Sequence, residues 1–185
     1  MLYKPMSRLI TPLLVSALLG ATFQGWSAAT RAAEDSLISF KIKDQFDRLH
    51  TDARYRGAVI VVTWGDRKGS TFMESWGPAL KDTLATEIAR YRLHHLEVAH
   101  VKGVPFFLKG RVKGHFTRDP AAPVLLDWEG DFDQAYDCTA DHCNVLVFAR
   151  DSSLTGRWAV AQLDTPILTE ILAAIDTLLV GAGTD

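Results

Sequence analysis

The sequence predicts an α/β fold in which helices cover a central sheet of mixed strand direction. A dense run of β-branched residues at 58–63, with glycines close to both of its ends, is typical of a strand buried on both faces. Further apolar stretches then alternate with segments of helical periodicity, until two strands and a last helix close the chain. The alternation favours parallel core strands, and the closing pair favours an antiparallel hairpin.

The first helix is expected from Thr71 to His95, because apolar or aromatic residues recur there in steps of three and four. That predicted face consists of Phe72, Trp76, Leu80, Leu84, Ile88, Tyr91 and His95. The pair Gly77-Pro78 should kink or break this helix near its start.

The remaining elements follow from shorter signals. Strands are predicted at 97–101, 124–128, 144–148 and 159–163, the last two joined as a hairpin across 150–156, and a short helix at 131–136. A final helix is predicted from Thr165, as its cap, to Leu179, with Pro166 at the first helical position.

The first 29 residues have the order of a secretory signal peptide. A basic start with Lys4 and Arg8 precedes an apolar run at 9–23 and a small-residue end. Cleavage is expected after Ala29, with Ala32 as an alternative site, and a retained anchor is the other interpretation. The apolar run is shorter than the roughly 20 residues that a spanning helix needs, so no stable membrane span is expected after cleavage.

The predicted organisation is a signal peptide at 1–29, a linker at 30–38, one domain at 39–181 and a tail at 182–185. The formal net charge is −2, and removal of the leader takes away two cations and no acid. This overall acidic balance gives no reason to expect nucleic acid or an anionic membrane as a partner.

Cys138 and Cys143 are the only cysteines, and four residues lie between them in the sequence. In an exported chain such a pair is expected to form a disulfide that staples one loop. The alternative is a redox-active pair, in which His142 would help to stabilise a thiolate.

The order of elements resembles the thioredoxin-like fold, in particular the redoxin and peroxiredoxin-like group. Three strings are similar to that group: FKIKDQF at 40–46 to its opening hairpin, GAVIVVTW at 57–64 to its first core strand, and LDWEGDF at 126–132 with Tyr136 to the stretch before its last hairpin. The resemblance implies a thioredoxin-like three-layer sandwich with a central mixed sheet and an N-terminal extension.

The chain departs from this group at the usual active site. Redoxins carry their reactive cysteine directly after the first core strand, where the helix N-terminus lowers the thiol pKa. Here the turn contains Asp66, Arg67, Lys68, Ser70 and Thr71 and no cysteine. These residues remain candidates for binding a small anion, and the alternative is an ordinary polar turn that caps a helix. The resemblance adds Pro105, in the segment where such folds keep a cis-proline facing the active site; the alternative is a trans proline that starts a new element.

Histidine is the other residue type that could indicate a binding site, in this case for a metal ion. His94, His95 and His100 are close in sequence, but His94 and His95 on one helix could not face one ion, and further ligands are not apparent. We therefore expect neither a metal nor another cofactor.

Three functions remain open from the sequence. The first is an exported thioredoxin-fold protein that has lost thiol chemistry and acts as a binding or accessory module for an unidentified protein or small molecule in the cell envelope. The second is a thiol–disulfide oxidoreductase or peroxidase that uses Cys138 and Cys143. The third is a purely structural periplasmic protein recruited through an exposed face.

Overall fold

The computed structural model describes residues 35–90 and 92–180, which form a mixed five-stranded sheet preceded by a small hairpin. The strands are β1 (Lys41–Lys43), β2 (Leu49–Thr51), β3 (Val59–Gly65), β4 (Leu93–His100), β5 (Val124–Asp127), β6 (Cys143–Phe148) and β7 (Leu154–Val160). The sheet order is β5-β4-β3-β6-β7, with β3, β4 and β5 parallel and β6 and β7 antiparallel to their neighbours. The predicted mixed sheet with a closing hairpin is confirmed.

Helices cover both faces of this sheet. They are α1 (Gly69–Thr83), α2 (Ala85–Ala89), α3 (Lys109–Lys113), α4 (Asp131–Tyr136) and α5 (Thr165–Val180). The face formed by Val59, Val61 and Val145 packs against α1 and α5. The opposite face packs against α4 and the N-terminal hairpin. The chain is therefore a three-layer α/β sandwich with an N-terminal extension.

Strand β3 is the centre of the sheet, and every one of its residues is buried. Its alternate side chains enter the two cores, because successive side chains of a strand point to opposite faces. Among the described residues, the hydrophobic clusters on the two faces extend from Leu37 to Leu179. The internal contacts of the chain also group residues 32–185 as one compact unit.

The helix predicted from Thr71 to His95 is wrong at its end. Helix α1 stops at Thr83, α2 adds one short turn, and β4 begins at Leu93, so His95 lies on a strand. The helix does continue through Pro78, whose side chain is exposed. Water can solvate the carbonyl that loses its donor there, which explains why proline is tolerated.

Three other boundaries differ from the predictions. Strand β7 begins at Leu154, five residues before the predicted start. The amide of Ile167 is capped by the Asp164 carboxylate at 3.0 Å, one residue before the predicted cap. Leu37, predicted as linker, is 2% exposed and donates its amide to the carbonyl of Ser152, so the domain starts before residue 39.

The predicted signal peptide and its cleavage sites lie outside the described residues, as does the predicted C-terminal tail. In the part of the chain that the structure does describe, none of the helices combines the length and the apolar character required to cross a membrane.

Candidate functional site

The candidate site is the turn that leads from β3 into α1. The carboxylate of Asp66 accepts hydrogen bonds from the amides of Lys68 at 3.0 Å and Gly69 at 2.8 Å. Burial opposes ionisation, but these bonds and one from the Asp141 amide hold the pKa of Asp66 below its ordinary value. The first amides of the helix therefore have an acceptor within the chain, as in the capping interpretation of this turn.

A second loop, 137–142, packs directly over this turn. The Asp141 amide donates to Asp66 at 2.9 Å, and the Lys68 ammonium bonds the Asp141 carboxylate at 2.7 Å. A Cβ atom at Gly69 would lie 2.1 Å from the carbonyl oxygen of His142. Only glycine permits this approach, so the contact between the two segments is built into the sequence.

Asn144 holds the 137–142 loop in place. Its side-chain oxygen accepts the Thr139 amide at 2.8 Å, and its amide group donates to the carbonyls of Thr139 at 2.8 Å and His142 at 3.3 Å. Asn144 is 1% exposed, so these bonds satisfy the polar groups of a side chain that water cannot reach. The loop that was expected to be stapled by a disulfide is closed by this amide.

The predicted disulfide between Cys138 and Cys143 is wrong, because both residues carry free thiols. Cys143 begins β6 and packs in the core beside α1 and α5, whereas Cys138 packs against the cluster on the other face of the sheet. The sheet itself therefore separates the two sulfur atoms, which a disulfide would have to bring to about 2 Å.

The same burial acts against a redox-active pair. Desolvation, reinforced by nearby carboxylates, raises the pKa of both Cys138 and Cys143 to about 12. The thiolate is the reactive form, so these raised pKa values disfavour nucleophilic attack by either group near neutral pH.

An open depression lies beside the start of α1. It is lined by Arg67, Lys68, Thr71, Phe72 and Asp141. Lys68 is already paired with Asp141, so its charge is largely satisfied there. Arg67 is exposed, and its guanidinium forms no hydrogen bond or ion pair with the described residues. It is the cation that this depression offers to a ligand.

The structure brings together only part of the predicted site. Arg67, Lys68 and Thr71 line the depression, Asp66 lies beneath it as a cap, and the Ser70 hydroxyl donates to the Arg67 carbonyl at 2.9 Å. Pro105 is not among the lining residues. It is exposed after β4, and all described peptide bonds are trans. Sequence reasoning missed Asp141, which only tertiary packing brings beside the turn, and Phe72, which had been assigned to the core face of the helix.

The histidines do not converge on one place. His94 and His95 are neighbours on β4 and therefore point to opposite faces of the sheet. His95 contacts the Thr63 hydroxyl at 3.2 Å, and burial, with Lys81 nearby, lowers its pKa to about 4. Within residues 35–90 and 92–180, no cluster of three or more His, Cys, Asp or Glu side chains could hold a metal ion.

Comparison with known proteins finds the fold and no sequence relative. No family model matches the chain, and no curated protein matches it either. The exposed lipoprotein thioredoxin of Streptococcus pneumoniae is similar in structure, with a TM-score of 0.55 and 17% identity over 74% of this chain and 99% of that one.

Two further solved structures agree. A thioredoxin-family thiol:disulfide interchange protein from Chlorobium tepidum has a TM-score of 0.54 and 13% identity, covering 80% of this chain and 98% of that one. A protein from Bacteroides thetaiotaomicron, suggested to be a disulfide isomerase, has a TM-score of 0.58 and 13% identity, covering 80% and 89% of the two chains. At such identities the likeness shows the fold alone, and that fold is thioredoxin-like.

Proposed function

We propose that this chain with a thioredoxin-like fold is an exported binding or accessory module of the cell envelope that performs no thiol chemistry. Its ligand site is the depression lined by Arg67, Thr71 and Phe72. Its physiological partner is a protein segment or small molecule that carries an acidic group.

The observation that carries this proposal is the composition of the turn after β3. Similar structures include a protein named for thiol:disulfide interchange, whereas this turn contains no cysteine and its first amides are occupied by Asp66. A serine or threonine hydroxyl cannot replace a thiol in redox chemistry, because oxygen has no equivalent oxidation ladder. Elsewhere in the chain, the Cys143 thiol is buried and the Cys138 thiol is half-buried, and they lie on opposite faces of the sheet.

The chemistry of the depression favours an acidic ligand with an apolar part. The Arg67 guanidinium offers a planar set of donors that matches a carboxylate or phosphate group. Thr71 adds a hydroxyl, and the half-buried Phe72 offers an apolar contact next to the charge. Because Asp141 offsets Lys68, the site favours one acidic group over a run of them.

Export rests on the order of charged, apolar and small residues within positions 1–29. Expression of the full chain in a bacterium with a periplasm should release a soluble protein whose N-terminus is residue 30, or residue 33 for the alternative site. A protein retained in the cytoplasm with Met1 intact would contradict export, without bearing on the ligand site.

The ligand site is tested by photo-crosslinking in cells. A photoreactive amino acid at Thr71 should give a discrete adduct that disappears when Arg67→Glu is added, whereas the same amino acid at exposed Lys41 should not give it. An adduct insensitive to Arg67→Glu, or none at Thr71, would contradict the proposal.

The absence of thiol chemistry is tested on the purified protein with insulin reduction and peroxide consumption assays. We expect rates equal to those of the Cys138→Ser/Cys143→Ser double variant. A higher rate that this variant lacks would favour the enzyme hypothesis instead.

A further inference from the structure

A second surface of the molecule carries the chemistry of an interfacial membrane contact. The segment 102–118 after β4 contains Lys102, Lys109, Arg111, Lys113 and Arg118 and no acidic residue, in a chain whose formal net charge is −2. The charge of the domain is therefore strongly polarised, which the overall balance conceals.

The same segment exposes two adjacent aromatic rings. The side chains of Phe106 and Phe107 are 83% and 70% exposed, and they stack edge to face with ring centroids 5.7 Å apart. Leu108, which follows them, is 36% exposed. Large apolar side chains are rarely presented to water side by side unless they contact something.

The rest of the segment is firmly attached, so the exposure is not the result of a loose loop. Val104, Val112 and Phe116 pack against the small core cluster formed by β4 and β5. The Lys109 ammonium lies 4.5 Å above the ring of Trp128, and Lys113 bonds Asp47 at 2.5 Å. These anchors on both sides of Phe106 and Phe107 hold the two rings outward.

The cations around these rings are largely unneutralised. Among the described residues only Lys113 of the five forms an ion pair. Burial raises the pKa of the Asp131 carboxyl, and Lys102 lies near enough to oppose that rise. Lys102, Arg111 and Arg118 are exposed and form no ion pair with the described part of the chain. Aromatic rings that can enter the boundary between headgroups and acyl chains, flanked by cations that attract acidic headgroups, are the features of interfacial membrane binding.

We propose that the 102–118 segment docks the domain on the surface of an anionic lipid bilayer, with Phe106 and Phe107 inserted and Lys102, Arg111 and Arg118 at the headgroups. The occupant is identified by charge complementarity. A membrane of acidic lipids presents negative charge to the exposed cations and an apolar layer to the two aromatic rings.

The position of the segment gives such docking a consequence for the candidate site. Strands β3 and β4 are parallel neighbours, so the segments that follow them leave the same edge of the sheet. A domain docked through Phe106 and Phe107 would thus turn the edge that carries the Arg67 depression towards the membrane.

Vesicle co-sedimentation of the chain from residue 32 onward, which lacks the apolar leader, tests this inference. We expect binding to vesicles of phosphatidylcholine with about one quarter phosphatidylglycerol, little binding to phosphatidylcholine alone, and loss of binding as salt rises from about 0.1 M to about 0.5 M. The F106S/F107S variant should bind about tenfold or more weakly, and R111E/R118E similarly. The matched controls L163S, at a 46% exposed leucine elsewhere, and K41E should bind like the parent.

Insertion is tested separately by quenching with brominated lipids. Fluorescence of F107W should be quenched more strongly than that of the parent, and L163W should show no added quenching. Equal binding of F106S/F107S and the parent, or no binding to the acidic vesicles, would overturn the proposal. A concentration-dependent dimer in sedimentation velocity that F106S/F107S dissolves would overturn it in favour of a second copy of this chain.

Discussion

The segments that follow the neighbouring parallel strands β3 and β4 leave the same edge of the sheet, but one is closed by internal contacts and the other is exposed. The turn after β3 is closed inward: Asp66 caps the helix amides, Lys68 pairs with Asp141, and Gly69 touches the His142 carbonyl. The segment after β4 is open outward, with Phe106 and Phe107 exposed. The polar groups at the start of α1 are thus largely satisfied by internal contacts, with the Arg67 guanidinium left free, whereas the segment after β4 exposes two aromatic rings and several unpaired cations.

The largest expected effect comes from breaking the close approach at Gly69. Gly69→Ala places a methyl group 2.1 Å from the His142 carbonyl oxygen, and backbone on both sides resists movement. We expect a loss of about 3 kcal/mol in the free energy of unfolding, measured by urea denaturation.

The matched control for this change is Gly110→Ala in α3, where a Cβ would meet nothing within 4 Å. We expect no loss there, and a gain of up to about 1 kcal/mol from helix propensity. Equal destabilisation by the two substitutions would contradict the closed character of the first turn.

Loss of the Asn144 side chain, which closes the 137–142 loop by hydrogen bonds, should give the next largest effect on stability. Asn144→Ala removes three hydrogen bonds, two of them to the Thr139 backbone, and with them the contacts that hold the 137–142 loop. We expect a loss of about 2 kcal/mol in the free energy of unfolding, measured by urea denaturation.

Cys138→Ala should reduce the free energy of unfolding by less, because only one half-buried thiol is removed and no bridge is lost. A Cys138→Ala variant less stable than Asn144→Ala would mean that Cys138 contributes more to stability than the Asn144 hydrogen bonds do.

The carboxylate cap at Asp66 should contribute a smaller and pH-dependent effect. Because its pKa is lowered in the folded protein, the ionised form stabilises the fold above the ordinary pKa near 4. That stabilisation is lost as the pH falls through the folded value. Asp66→Asn should therefore cost about 1 kcal/mol at pH 7 and progressively less below pH 4, as measured by urea denaturation across pH. A difference between parent and variant that does not change with pH would contradict the cap.

The smallest effect on stability is expected on the open side of the comparison. F106S/F107S should change the free energy of unfolding by no more than about 0.5 kcal/mol, because both rings are already in water. Thermal and urea unfolding of this variant therefore also control the vesicle experiment. A substantial loss of stability would mean that the rings support the fold.

The sequence predicted the fold where local signals are strong. The β-branched run at 58–63 and the apolar run at 144–148 both became central strands, because such residues suit positions buried on both faces. Strand β4 was predicted only in part, at 97–101, whereas it begins at Leu93. Its polar residues, among them His94, His95 and Glu97, are half-buried, and the helical spacing from Phe72 continued by chance through Tyr91 to His95.

The site was less predictable because its parts meet only through tertiary packing. The turn at 66–71 was identified from its place after the first core strand, but nothing local indicated that Asp141, 75 residues later, would cover it. The cysteines show the opposite error, because residues that are close in sequence need not be in contact in the fold. They are near in sequence, yet the start of β6 at Cys143 sends its side chain to one face of the sheet while Cys138 packs on the other.

The central claim is that this thioredoxin-like domain carries no functional thiol pair, and thiol trapping tests it most directly. Protein isolated without reductant is alkylated before and after unfolding and then analysed by mass spectrometry. We predict that both Cys138 and Cys143 react only after unfolding, as buried free thiols. A protein in which the two cysteines are bonded to each other, and in which that bond is readily reduced and re-formed at mild potential, would contradict the account.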